Sequence, residues 1–241
     1  MTEDFLSHLE ELRKRLLIAI GCFFSLAVLA YFFSGQLIDF LVAPLRRQQD
    51  AHLIFQTPYE AFLIHVKVAA VAGLLGSLPV LFWQFWIFVA PGLYDKEKKI
   101  FLPLIVVCSG LFLTGSAFAY YWVIPFGLNF LLSFQTESLR PFIGIAPYFS
   151  FLLGMLLAFG LLFDFPVVML GLIRLGVLRA EAVAKARRIV VVLIFIAAAI
   201  LTPSPDPVSQ LLLALPLIVL FEISLVIART TENKGKMPLK D

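Results

Sequence analysis

Apolar residues along the chain gather into six runs, at about 16 to 34, 66 to 89, 100 to 121, 148 to 173, 189 to 201 and 208 to 228, separated by short polar stretches. A bilayer's hydrocarbon core is about 30 Å thick, and roughly 20 consecutive apolar residues cross it as a helix. The pattern predicts six transmembrane helices. The fifth run is short: 13 residues from Ile189 to Leu201 precede "TPSPDP", and at 1.5 Å per residue they reach about 20 Å. The sixth gives 14 residues from Val208 to Phe221 before Glu222. With Glu222 at the interface, both last helices are short by the same amount and must thin the bilayer, tilt little, or lean on a partner helix. In a tilted sixth helix, Glu222 is instead drawn inward against Arg188.

The segments between the runs carry their own signals. "APG" at 90–92 ends the second span, and Pro103 suits the first turn of the third. The segment 35–65 contains Pro44 and "TPYEAF" and predicts a short helix lying across one membrane face. Ahead of the first span, Phe5, Leu9, Leu12 and Leu16 fall on one helical stripe, with Ser7 and Glu10 at capping-box spacing. Residues 2–15 are therefore read as an interfacial amphipathic helix running into the first span, and 229–241 as a polar tail. The N-terminal residues are too charged for a cleavable signal, so the first span is expected to be retained.

Charge fixes an orientation. Sorted by side, fifteen Lys and Arg fall with the two termini and only Arg46, Arg47, Lys67 and Arg140 fall opposite. The positive-inside rule then makes the terminal side cytoplasmic. Composition agrees: 61% hydrophobic and 15% charged residues, with a mean hydropathy of +0.97, exclude an ordinary soluble domain. The expected architecture is all-α, a single six-helix transmembrane domain over 1–241, multi-pass in the cytoplasmic membrane with both termini inside.

Few polar groups interrupt the spans. Asp164, in "LLFDFPVVML", lies about 14 Å from the cytoplasmic end of the fourth span. A charge there costs at least ~2.5 to 3.5 kcal/mol, so the side chain is expected to be protonated or to face a wet, protein-lined cavity. Either it binds substrate or a partner, or it is a neutral acid bonded to a neighbouring helix. Gln210 opens the sixth span, where an amide in lipid seeks a partner on another helix, supplied by a second copy or a separate subunit, or else contacts water at the interface. Glu10 can pair with Lys14 and Glu11 with Arg15 at i, i+4. Glu97 sits among Lys96, Lys98 and Lys99 in the hairpin "APGLYDKEKK". Charge pattern alone leaves each of these acids either a neutralised surface charge or a recognition group.

Catalytic signatures are missing. No G-x-x-x-x-G-K-[ST], H-E-x-x-H or G-x-S-x-G occurs. His8, His52 and His65 have no ligand spacing, and Cys22 and Cys108 lie inside apolar runs as small hydrophobes. No cofactor, metal or nucleic acid is implied, and the protein is not expected to be an enzyme. A proton-coupled secondary transporter using Asp164 is the rival class, weakened by the lack of internal repeats.

Ordered motifs add a further reading. "SHLEELRKRLL", "VAPL", "TPYEAFLIHVKVA", "FWIFVAPGLYDKEKK", "FDFPVV" and "TPSPDPVSQLLLALPLIVLFEIS" together resemble the TatC family, the receptor subunits of the twin-arginine protein translocase. The resemblance covers essentially the whole chain. It implies recognition of Arg-Arg signal peptides on folded cargo, assembly with single-span TatA and TatB partners and with further copies of the chain among membrane lipids, and transport driven by the protonmotive force. By motif it assigns Glu97 and Glu11 to the arginine pair, with Phe88, Tyr94, His8 and Arg13 beside them. Pro44, Asp206 and Gln210 match outer-face positions, Gln210 near the partner helices. Two departures stand out: Asp164 takes the place of the family's glutamate, one methylene shorter, and "TPSPDP" is a residue longer than the common turn with no methionine before it.

Overall fold

A computed structural model describes residues 2–46, 52–89, 101–133, 142–174, 180–201 and 207–235. Its elements in order are α1 (Thr2–Phe32), α2 (Ser34–Arg46), β1 (His52–Ile54), α3 (Glu60–Val89), α4 (Phe101–Phe118), a π-helical turn (Ala119–Val123), α5 (Ile124–Leu132), β2 (Phe142–Gly144), α6 (Ile145–Arg174), α7 (Ala180–Lys185), α8 (Arg187–Leu201) and α9 (Pro207–Gly235). Among the described residues, four stretches are long and apolar enough to cross a membrane: Leu9–Phe32, Glu60–Phe88, Pro103–Leu132 and Ile145–Met169. The amphipathic segment 2–15 is continuous with the first of them in α1.

The last two helices differ from each other. α8 has 15 residues, about 22 Å of helix. α9 runs for 29 residues, past Glu222 to Gly235. Glu222 therefore lies inside the helix and does not end it.

Contacts divide the chain into two compact units, Met1–Leu113 with Arg140–Leu153, and Thr114–Leu139 with Gly154–Asp241. In the first unit, α1 packs along α3. A Cβ on Gly73 would lie 2.6 Å from the backbone N and Cα of Ala27, so glycine is what lets the two helices approach this closely. α2 is the short helix expected in the 35–65 segment, carrying Pro44 buried near its end. The Tyr148 hydroxyl on α6 donates to the Leu41 carbonyl on α2 at 2.9 Å. β1 and β2 pair in parallel, His52 opposite Phe142 and Ile54 opposite Gly144, so α3 and α6 both start just after this two-stranded patch and from the same end of it. Leu45, Ile64, Val68 and Phe149 form the buried centre.

In the second unit, Gly115 meets α6 as Gly73 meets α1: an added Cβ would stand 2.4 Å from the Phe159 carbonyl oxygen. Beside it the Ser116 hydroxyl donates to the Leu156 carbonyl at 2.9 Å. The π turn has a local cause. Pro125 has no N–H to give the carbonyl four residues back and its ring crowds that position. The ladder widens by a residue instead, and the Ile124 N–H bonds to the Ala119 carbonyl. α7 and α8 both pack on α9.

Candidate functional site

The polar groups of α1 converge on one end of α3. Glu11 and Arg15, one turn apart, form an ion pair in which Arg15 Nε donates to Glu11 Oε1 at 3.1 Å. Arg15 Nη1 also reaches Gln84 Oε1 on α3 at 3.5 Å, a long hydrogen bond. Ala27 against Gly73 and Arg15 against Gln84 set an antiparallel register. Four residues back from Arg15 lies Glu11, and four residues on from Gln84 lies Phe88, so that register brings Glu11 to the level of Phe88 at the end of α3. Arg13 is exposed on the same helix. His8 lies on α1, with only its backbone described. Tyr94, Glu97 and Asp206 lie outside the described residues.

In the second unit Asp164 is buried on α6 at 4% exposure. Neither carboxyl oxygen has a hydrogen-bond partner among the described residues. The rings on either side are engaged: Phe163 packs on Phe118 with centroids 5.6 Å apart, and Phe165 faces Phe221 of α9 at 6.3 Å. Asp164 thus brings unused hydrogen-bonding capacity into an otherwise aromatic wall, the costliest place for an idle polar group.

Gln210 has found a partner inside the chain. Its Nε2 donates to the Phe195 carbonyl of α8 at 2.8 Å, tying the start of α9 to the middle of its neighbour. Glu222 is held by Arg187, with Nε 2.6 Å from Oε1. The inward pairing considered from sequence had named Arg188; one residue is about 100° of helix, which is what separates the two. Sequence also passed over His65, whose Nδ1 bonds the Ser34 hydroxyl at 2.7 Å. That hydroxyl in turn donates to the Tyr31 carbonyl at 2.6 Å. Nothing local in the sequence marks a pair 31 residues apart.

Among the described residues, no group of three His, Cys, Asp or Glu could hold a metal ion. A multi-span helical membrane protein is the class these features define. A family model described as Sec-independent protein translocase protein (TatC) matches residues 7–216, and the chain belongs to the TatC family. Named relatives include TatC of Magnetococcus marinus, 41% identical over 94% of this chain and 84% of its own length. TatC of Escherichia coli K12 is 36% identical over 98% and 92%. A crystal structure of the twin arginine translocase receptor TatC in DDM matches with a TM-score of 0.84 at 35% identity, over 92% of this chain and 99% of that one. A second gives 0.83 at 36% identity, over 92% and 98%. The chain is thus a multi-pass membrane component of the Sec-independent protein translocase and not an enzyme. The proton-coupled carrier considered from sequence finds no support in the family.

Proposed function

We propose that this chain is the signal-peptide receptor and assembly platform of a twin-arginine translocase in the cytoplasmic membrane. Glu97 and Glu11 receive the two arginines of the signal, flanked by Phe88, Tyr94, His8 and Arg13. The observation that carries this reading is the docking of α1 on α3, which brings Glu11 level with Phe88, at the end of α3 that precedes residues 90–99 in the sequence. Carboxylates suit the task because each offers a guanidinium two parallel charge-assisted hydrogen bonds. Lys96, Lys98 and Lys99 repel merely basic segments, so fork geometry rather than positive charge selects the ligand.

Arg15 gives the site a resting state. Its guanidinium occupies Glu11 while no signal is bound. An arriving arginine exchanges with it, so the carboxylate is never left unpaired, and Arg15 retains Gln84 as an acceptor. Pro44, Asp206, Gln210 and Asp164 belong to assembly in this reading. Gln210 opens α9 beside α8, where single-span TatA- and TatB-like helices or a second copy of the chain meet it. Asp164 offers its idle oxygens to an inserted partner. Cargo transport then draws on the protonmotive force.

The test is selectivity. The purified protein in lipid nanodiscs is expected to bind an Arg-Arg signal peptide at least about tenfold more tightly than its Lys-Lys variant, roughly 1.4 kcal/mol. Equal affinity for the two peptides would overturn the reading.

A further inference from the structure

Lys67 is a cation inside a membrane-crossing stretch, and the receptor function gives it no role. It lies in α3 within Glu60–Phe88, seven residues, or about 10 Å, from the helix start. Charged groups at that depth normally turn toward the protein interior or a wet cavity. Lys67 does the opposite and is exposed. Its Nζ donates to the Ser150 hydroxyl of α6 at 3.3 Å, and Ser150 is exposed too. An ammonium carries three N–H donors and a serine hydroxyl one O–H. The two remaining ammonium hydrogens and the serine hydrogen have no acceptor among the described residues. Glu60, two turns back on α3, is buried, and its Oε2 already accepts the Gln56 N–H at 3.0 Å.

We infer that Lys67 and Ser150 form a binding site for the phosphate of an anionic phospholipid, in the leaflet at the Glu60 end of α3, opposite its Val89 end. The depth fits. α3 has 30 residues and measures about 45 Å against a core of about 30 Å, which sets Lys67 just inside the core's edge. Its four-carbon stem lets the ammonium snorkel to headgroup level while the methylenes stay in lipid. α3 and α6 both begin at this end, after the paired strands β1 and β2. Tyr59, Phe62, Leu63 and Val66, all exposed around the lysine, supply the apolar wall against which acyl chains lie.

The purified full chain in a neutral detergent, titrated with phosphatidylglycerol and followed by native mass spectrometry, tests the site. Wild type is expected to retain phosphatidylglycerol in preference to phosphatidylcholine and to melt at higher temperature when it is present. Lys67→Gln is expected to weaken that retention about fivefold, the effect of one interfacial lysine, and to abolish the thermal gain. Lys67→Arg is expected to restore both, and Ser150→Ala to weaken retention on its own. Equal lipid retention and thermal gain in wild type and Lys67→Gln would overturn the assignment. Displacement of the lipid by millimolar inorganic phosphate would overturn the lipid as occupant in favour of free anion. A change in oligomeric mass with lipid count unchanged would overturn it in favour of an inter-subunit contact.

Discussion

At the scale of single residues, the chemistry lies in who already holds whom. Glu11 is occupied by Arg15, and the half-exposed setting of that pair keeps its net worth small. The site is therefore easily exchanged. Arg15→Gln, which empties Glu11, is expected to leave Arg-Arg peptide affinity equal or raised in an equilibrium titration, whereas Glu11→Gln lowers it. A loss in Arg15→Gln as large as in Glu11→Gln would mean that the arginine contacts the signal rather than yielding to it. Asp164 follows a different rule. Its oxygens make no hydrogen bond among the described residues, so the folded chain gains nothing from its acceptors. Asp164→Asn is expected to keep or raise the melting temperature in detergent while lowering transport in vesicles that contain the partner proteins. A stability loss of several kcal/mol would reveal a bond that the fold depends on.

At the scale of elements, glycine sets the helix spacing. Gly73 and Gly115 each sit where a Cβ would enter a neighbour's backbone, so Gly73→Val should push α1 away from α3 at a cost of about 1–3 kcal/mol. The melting temperature of the purified protein reads that loss directly, and an unchanged value would mean that the helices part without penalty. The helices themselves were legible in the sequence because a run of 20 apolar residues has few other homes. Asp164 was legible too, as the ionisable residue deep in a span. What escaped were contacts between distant parts of the chain. The three-residue strands His52–Ile54 and Phe142–Gly144 are too short for alternation to mark them. Gln84 looks like any interfacial amide until Arg15 reaches it. The bond from Gln210 to a backbone carbonyl of α8 has no side-chain signature, so sequence pointed to a partner helix without saying which. Glu222 found Arg187 rather than Arg188 through helix phase, which a few residues of uncertainty in a predicted boundary erase.

At the scale of the whole molecule, one helix is mismatched to the membrane. α8, with 15 residues, reaches about 22 Å where about 30 Å is needed. Its neighbour α9 is about twice as long, at 29 residues. Bilayer deformation of this kind costs fractions of a kcal/mol per Å, enough to sort partners and thin the membrane locally. Inserting four leucines into α8 is expected to abolish cargo transport while leaving signal-peptide binding intact. Full transport by the lengthened protein would remove membrane thinning from the account.

The central claim is that Glu97, in the lysine-rich segment 90–99, together with Glu11, reads the arginine pair. Its most direct test is the binding of an Arg-Arg signal peptide to the protein in lipid nanodiscs, comparing wild type with Glu97→Gln at low and high salt. The account predicts a large loss in the variant for the Arg-Arg peptide, little change for the already weak Lys-Lys peptide, and persistence of the difference at high salt, because a bidentate contact is screened less than a diffuse attraction. Unchanged Arg-Arg affinity in Glu97→Gln would contradict it and return Glu97 to the role of a lysine's neighbour.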